Sequence, residues 1–189
     1  MTSEQHELIE RLKFQKVKVR LTEKGNKYVE HIQTEFANGG IKLFKWKIMN
    51  PSSRIFLHKD KIEDVAWEII RSLKVKGDIS EITENEMIEA TPDDLKMVNT
   101  FDLLGKLSGI AKHGGAYSPI NKRLTDTEAI EMSKDFIDEF LPKPFDDSHC
   151  FLTYEPWANW FFSVAWDYTA IIFSRQYDEL YLICLTDTD

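Results

Sequence analysis

The stretch from His149 to Asp189, HCFLTYEPWANWFFSVAWDYTAIIFSRQYDELYLICLTDTD, constrains the fold more than any other part of the chain. It is apolar, aromatic and β-branched almost without interruption. A sheet wetted on one face shows a polar residue at every second position. Here Leu180, Leu182 and Cys184 alternate with Tyr181, Ile183 and Leu185, and Ile172 lies between Ile171 and Phe173. The pattern predicts strands covered on both faces, or covered on one and committed to a partner on the other. Four antiparallel strands are expected, at about 149–154, 159–165, 169–174 and 179–186. Their joints fall at Glu155-Pro156, Trp166-Asp167-Tyr168 and Arg175-Gln176-Tyr177-Asp178.

Helices to cover such a sheet are available upstream. Thr2 or Ser3 can cap a first helix over about 4–14, and a strand follows at Lys16–Leu21, where valines alternate with basic residues. Thr22 opens a helix of about sixteen residues carrying Tyr28, Val29, Ile32 and Phe36, with Gly39-Gly40 as its stop. Ile41–Ile48 is a second lysine-interleaved strand, and Ile55–Leu57 a short one. Ile62, Val65, Ala66, Ile69, Ile70 and Leu73 recur at helical spacing and predict a helix over 60–74. Thr91-Pro92-Asp93-Asp94 has the form of another helix start, continuing to about 104 through Leu95, Val98, Phe101 and Leu104. The glycine-rich 105–122 is expected to be a loop, and Thr125 with Glu128 forms a capping box opening a helix over 126–141. That helix is expected to turn Ala129, Ile130, Phe136, Ile137 and Phe140 inward. The expected class is α+β, a C-terminal antiparallel β-meander packed by several amphipathic helices. The chain is expected to form a single domain over 1–189, with subregions 1–77 and 78–189.

Charge separates those two subregions. Residues 1–75 hold 15 Lys/Arg against 10 Asp/Glu, whereas 76–189 hold 9 against 22. An acidic surface repels nucleic acid and anionic lipid and attracts basic proteins. The opening residues lack a signal-peptide core, WFFSVAWDYTAIIF is broken by Asp167, and the two cysteines, Cys150 and Cys184, lie in apolar runs. A cytoplasmic setting without membrane contact is expected.

Motifs for chemistry are sparse. No two of His6, His31, His58, His113 and His149 stand four apart, so neither a metal site nor any cofactor is expected. Gly105-Lys106-Leu107-Ser108-Gly109 lacks the phosphate-loop spacing. Lys112, His113 and Tyr117 gather among glycines and are the catalytic candidates if the chain is a small hydrolase or transferase. Acids beside aromatics suggest instead a protein-docking rim at Glu155, Trp157, Trp166, Asp167, Tyr168 and Asp187.

Two resemblances bear on function. KVRLTEKGNKYVEHI (Lys18–Ile32) resembles the strand-to-helix junction of bacterial winged-helix regulators, through Leu21, Thr22, Lys24 and Gly25. Those regulators place a helix-turn-helix ahead of the junction, and the residues before it here suffice for one helix. A nucleic-acid-binding regulator is accordingly the third reading. Helices followed by a terminal aromatic meander with a Trp-Asp-Tyr joint (WFFSVAWDYTAIIFS) are similar to small bacterial immunity proteins, over roughly the last forty residues. That resemblance implies a cytoplasmic, non-enzymatic protein that neutralises a cognate, basic toxin domain by occluding it. It assigns no residue a role.

Overall fold

The computed structural model describes residues 2–50, 62–75, 77–83, 90–116, 124–141, 148–174 and 176–187. In chain order these form α1 (Ser3–Glu10), β1 (Phe14–Val17), α2 (Glu23–Glu35), β2 (Gly40–Ile48), α3 (Ile62–Val75) and the short α4 (Ser80–Thr83). Then follow β3 (Lys96–Val98), α5 (Thr100–His113), α6 (Asp126–Phe140), β4 (Ser148–Thr153), β5 (Tyr168–Ser174) and β6 (Glu179–Thr186). The fold is α+β, with the C-terminal meander β4-β5-β6 at its centre. The expected strand Ile55–Leu57 lies outside the described residues.

The strands form one antiparallel sheet in the order β1-β2-β6-β5-β4-β3. β2 lies against β6, so the basic and acidic subregions share a single sheet. The register explains the missing alternation. Leu43, Ile183, Ala170 and Ile172 face one way, where Tyr28, Ile32, Leu103, Leu107, Phe136 and Ile137 of α2, α5 and α6 cover them. Phe44, Leu182, Ile171 and Phe173 face the other way, under α1, α3 and α4 through Ile9, Val65, Ile69, Ile70 and Ile82. Both faces of the sheet are therefore covered by helices of this same chain. Every position of β5 and all but the first of β6 are buried, and that burial on both sides selects the apolar run Ala170–Phe173 in β5 and Leu180–Leu185 in β6.

Several expectations are corrected. Residues 159–165 are not a strand but successive turns, with Ser163 at φ 62°. The segment is held by the Asp167 carboxylate, which accepts from the Val164 amide at 3.1 Å and the Phe162 amide at 3.4 Å. Trp157 and Phe161 plug the space beside α3, with Trp157 edge-on to Trp67 at 5.4 Å. The glycine-rich stretch from 105 is helical as far as His113. Asn99 and Asp102 make a capping box, and burial of Leu103, Leu107 and Ala111 outweighs the roughly 1 kcal/mol that each helical glycine costs.

At Pro92 there is a turn rather than a helix start, with Leu95 N–H donating to the Pro92 carbonyl at 3.1 Å. Asp94 is used by β4 instead, accepting from the Tyr154 amide at 2.8 Å and from the Thr153 hydroxyl. The first helix ends at Glu10 and the first strand spans Phe14–Val17, earlier than the expected 16–21. α2 ends at Glu35 ahead of the two glycines; Gly40, at φ +102°, turns the chain into β2.

Candidate functional site

α5 presents a second stripe besides its core-facing one. Phe101, Leu104, Gly105, Ser108, Gly109, Lys112 and His113 form one wall of a solvent-open cleft of about 440 Å³, and Asp126, Ala129 and Ile130 of α6 form the other. Its lining is mostly apolar. Phe101 is 71% exposed and Ile130 48%, large values for such residues on helices that otherwise bury their apolar side chains. Ile130 thus turns outward, against the inward orientation expected of it. A Cβ placed on Gly105 or Gly109 would meet nothing within 4 Å, so the cleft floor is bare helix backbone.

Charge around this cleft is unequal. α6 carries Asp126, Glu128, Glu131, Asp135, Asp138 and Glu139 against the single Lys134, which pairs with Asp138. The α5 cations are already engaged: Lys112 with Asp126, and Lys106 over the Tyr154 ring at 5.5 Å. The hydrogen bond from Lys112 holds the Asp126 carboxyl below its ordinary value, and the Thr125 hydroxyl does the same for Glu128. Both acids stay ionised at neutral pH, so the α6 rim is anionic.

Of the catalytic candidates, Lys112 and His113 line this cleft, with the Lys112 ammonium held by Asp126. Tyr117 lies outside the described residues. His31, on α2, places Nε2 2.7 Å from the Ala111 carbonyl and ties α2 to the end of α5. Among the described residues no group of three His, Cys, Asp or Glu could hold a metal ion. The Cys150 thiol is pushed up to about 12 by burial, and Cys184 higher still, so both are protonated core residues.

The residues expected to form a docking rim are scattered, and most are interior. Trp157 is buried and donates Nε1–H to the Thr169 hydroxyl at 2.8 Å; Tyr168 is buried beneath Tyr154. Asp167 is buried and also takes the Thr186 hydroxyl at 2.5 Å. Asp187 is buried and accepts from the Ala116 amide at 2.8 Å and the Asn38 amide at 3.2 Å, joining the end of α5 to the turn before β2. Both buried carboxylates are taken up by backbone amides, and Asp167 also by the Thr186 hydroxyl. Glu155 is half-buried and accepts from the Asp93 amide at 3.0 Å, while Trp166 packs half-buried against the α2–α5–α6 side. The cleft residues Phe101, Gly105, Gly109 and Ile130 were not among the expected site residues. Their signal was Phe101 and Ile130 adjoining stripes that Leu103 and Ala129 already filled.

A second cleft, of about 400 Å³, is lined by Val17, Lys18, Val19, Arg20, Lys45, Glu139 and Phe140. Lys45 is paired with Glu179 at 3.0 Å. Glu139 accepts from the Thr22 amide at 2.7 Å and from the Gly25 amide at 3.3 Å, which caps α2 from α6. Its acid is committed to the fold.

No protein-family model, no curated protein and no solved structure matches this chain.

Proposed function

We propose that this chain is a non-enzymatic, protein-binding inhibitor of the immunity type, which neutralises a basic protein by occluding it. One observation carries the reading: a solvent-open apolar cleft lies beside α6, which exposes Glu128 and Glu131 in addition to the Lys112–Asp126 pair. Apolar anchors inside a charged rim are the anatomy of a protein interface, and acidic charge selects and steers a basic partner. Among the described residues no helix is long and apolar enough to cross a membrane. A cytoplasmic setting belongs to the proposal.

The test is neutralisation. A protein encoded beside this chain in its own genome is expressed in a heterologous host, with and without the chain, and growth is followed. The expected result is growth arrest by the neighbour alone, relief when the chain is co-expressed, and a 1:1 complex on purification. A neighbour that is harmless, or a toxic one that the chain neither binds nor relieves, contradicts the proposal.

A further inference from the structure

We infer that the α5–α6 cleft receives a basic amphipathic helix of the partner, laid along α5 over Gly105 and Gly109. The inference rests on the inhibitory reading above and adds the mode of docking.

The chain has eight glycines, and six have a reason within the fold. Gly40, Gly77 and Gly114 adopt φ of +102°, +74° and +69°, where side chains are strained. A Cβ on Gly25 would lie 2.6 Å from Glu139, on Gly39 2.1 Å from the Thr186 carbonyl, and on Gly115 2.1 Å from Asp187. Gly105 and Gly109 have neither reason. They sit inside a regular helix, where alanine is better, with nothing within 4 Å of the missing Cβ. They are one turn apart, in the same cleft, between the exposed Phe101 and Ile130. A helix free of side chains on one line lets a second helix approach closely, as small-residue pairs do elsewhere. From Phe101 to Lys112 the α5 wall runs about 17 Å, three turns of a docked helix.

Charge decides which helix. α6 supplies Asp126, Glu128 and Glu131 on its exposed surface, and Asp102 stands exposed at the other end of the cleft. With Lys112 and Asp126 spent on each other and Lys106 over the Tyr154 ring, Asp102, Glu128 and Glu131 are the exposed acids that remain, and the complement is a helix with an apolar stripe and lysines or arginines flanking it.

The probe is a labelled sixteen-residue helix of leucine, alanine and lysine, with leucines on one face, read by fluorescence anisotropy beside a counterpart in which glutamate replaces lysine. The lysine helix is expected to bind, tenfold or more weakly at high salt, and the glutamate helix not to bind. Gly105→Leu with Gly109→Leu fills the floor and is expected to weaken binding at least tenfold while raising the thermal midpoint, because leucine is the better helix former. Opposite movement of stability and binding is what a merely structural role for the glycines does not give. Phe101→Ala is expected to weaken binding without unfolding. Equal binding of both probes, no binding, or full binding by the double leucine variant overturns the inference. The same variant in the neutralisation assay separates the two claims. A wild-type chain that neutralises while the variant neutralises equally well overturns the docking mode alone. A wild-type chain that fails to neutralise, yet binds the lysine helix in a glycine-dependent way, overturns the inhibitory reading alone.

Discussion

Asp167 shows how one side chain can replace a strand. Its carboxylate gathers the Phe162 and Val164 amides and the Thr186 hydroxyl, all within 3.4 Å, and pins an aromatic segment that alternates like β-structure. Replacing it with alanine leaves the buried Thr186 hydroxyl and the part-buried Phe162 and Val164 amides without their acceptor. Asp167→Ala is expected to destabilise the fold by about 2–4 kcal/mol, read as a lower urea midpoint with unchanged slope. A loss under about 0.5 kcal/mol would show that water satisfies the loop equally well. The sequence offered a polar residue between Trp166 and Tyr168, and adjacency suggested a rim. What it could not display was that the acid points inward, since strand and turn place the same residue on opposite sides. Asp187 was misread for the same reason: its amide partners at Asn38 and Ala116 are far away in sequence.

Among the elements, legibility followed whether a signal was local. α3 was readable from its apolar spacing and α6 from the Thr125–Glu128 box, because helix faces and caps are written within a few residues. α5 was not, because its glycines read as a loop while its stability comes from Leu103, Leu107 and Ala111 packing against a sheet made elsewhere. Those glycines also give a contrast within one fold. Gly109→Ala is expected to stabilise by up to about 1 kcal/mol, since the new methyl meets nothing and the helix gains propensity. Gly25→Ala, in α2, is expected to destabilise, because its methyl falls 2.6 Å from Glu139 Oε2, the oxygen that accepts from the Thr22 amide at the helix cap. Thermal midpoints of the two variants moving in the same direction would contradict this account of the two helices.

For the whole molecule, the sheet's two-sided burial was visible in the sequence, and with it the α+β class; which helices took which face was not. Exposed ion pairs and hydrogen-bonded carboxylates contribute to the pH response. Asp126, Glu128 and Glu139 have carboxyls held below their ordinary values of 3.8, 4.5 and 4.5 by Lys112, Thr125 and Thr22 respectively. A carboxyl with a lowered folded-state value contributes stability that is complete above its unfolded value and is lost as pH falls through the folded one. Lys134, raised above 10.5 by Asp138, behaves in the opposite sense: its contribution is present below that value and lost as pH climbs past the raised one. The thermal midpoint is therefore expected to be level through neutral pH and to fall below a pH of about 4.5, with the Lys112–Asp126 share fading in salt. A midpoint unchanged down to about pH 3 would rule out these contacts as contributors.

The docking proposed at the α5–α6 surface is tested by hydrogen–deuterium exchange of the chain alone and with the protein it is proposed to bind. New protection is expected to concentrate in residues 100–113 and 126–134, with α1 and α3 on the opposite face unchanged. Protection confined to α1 and α3, or to the basic edge at β1, would contradict it.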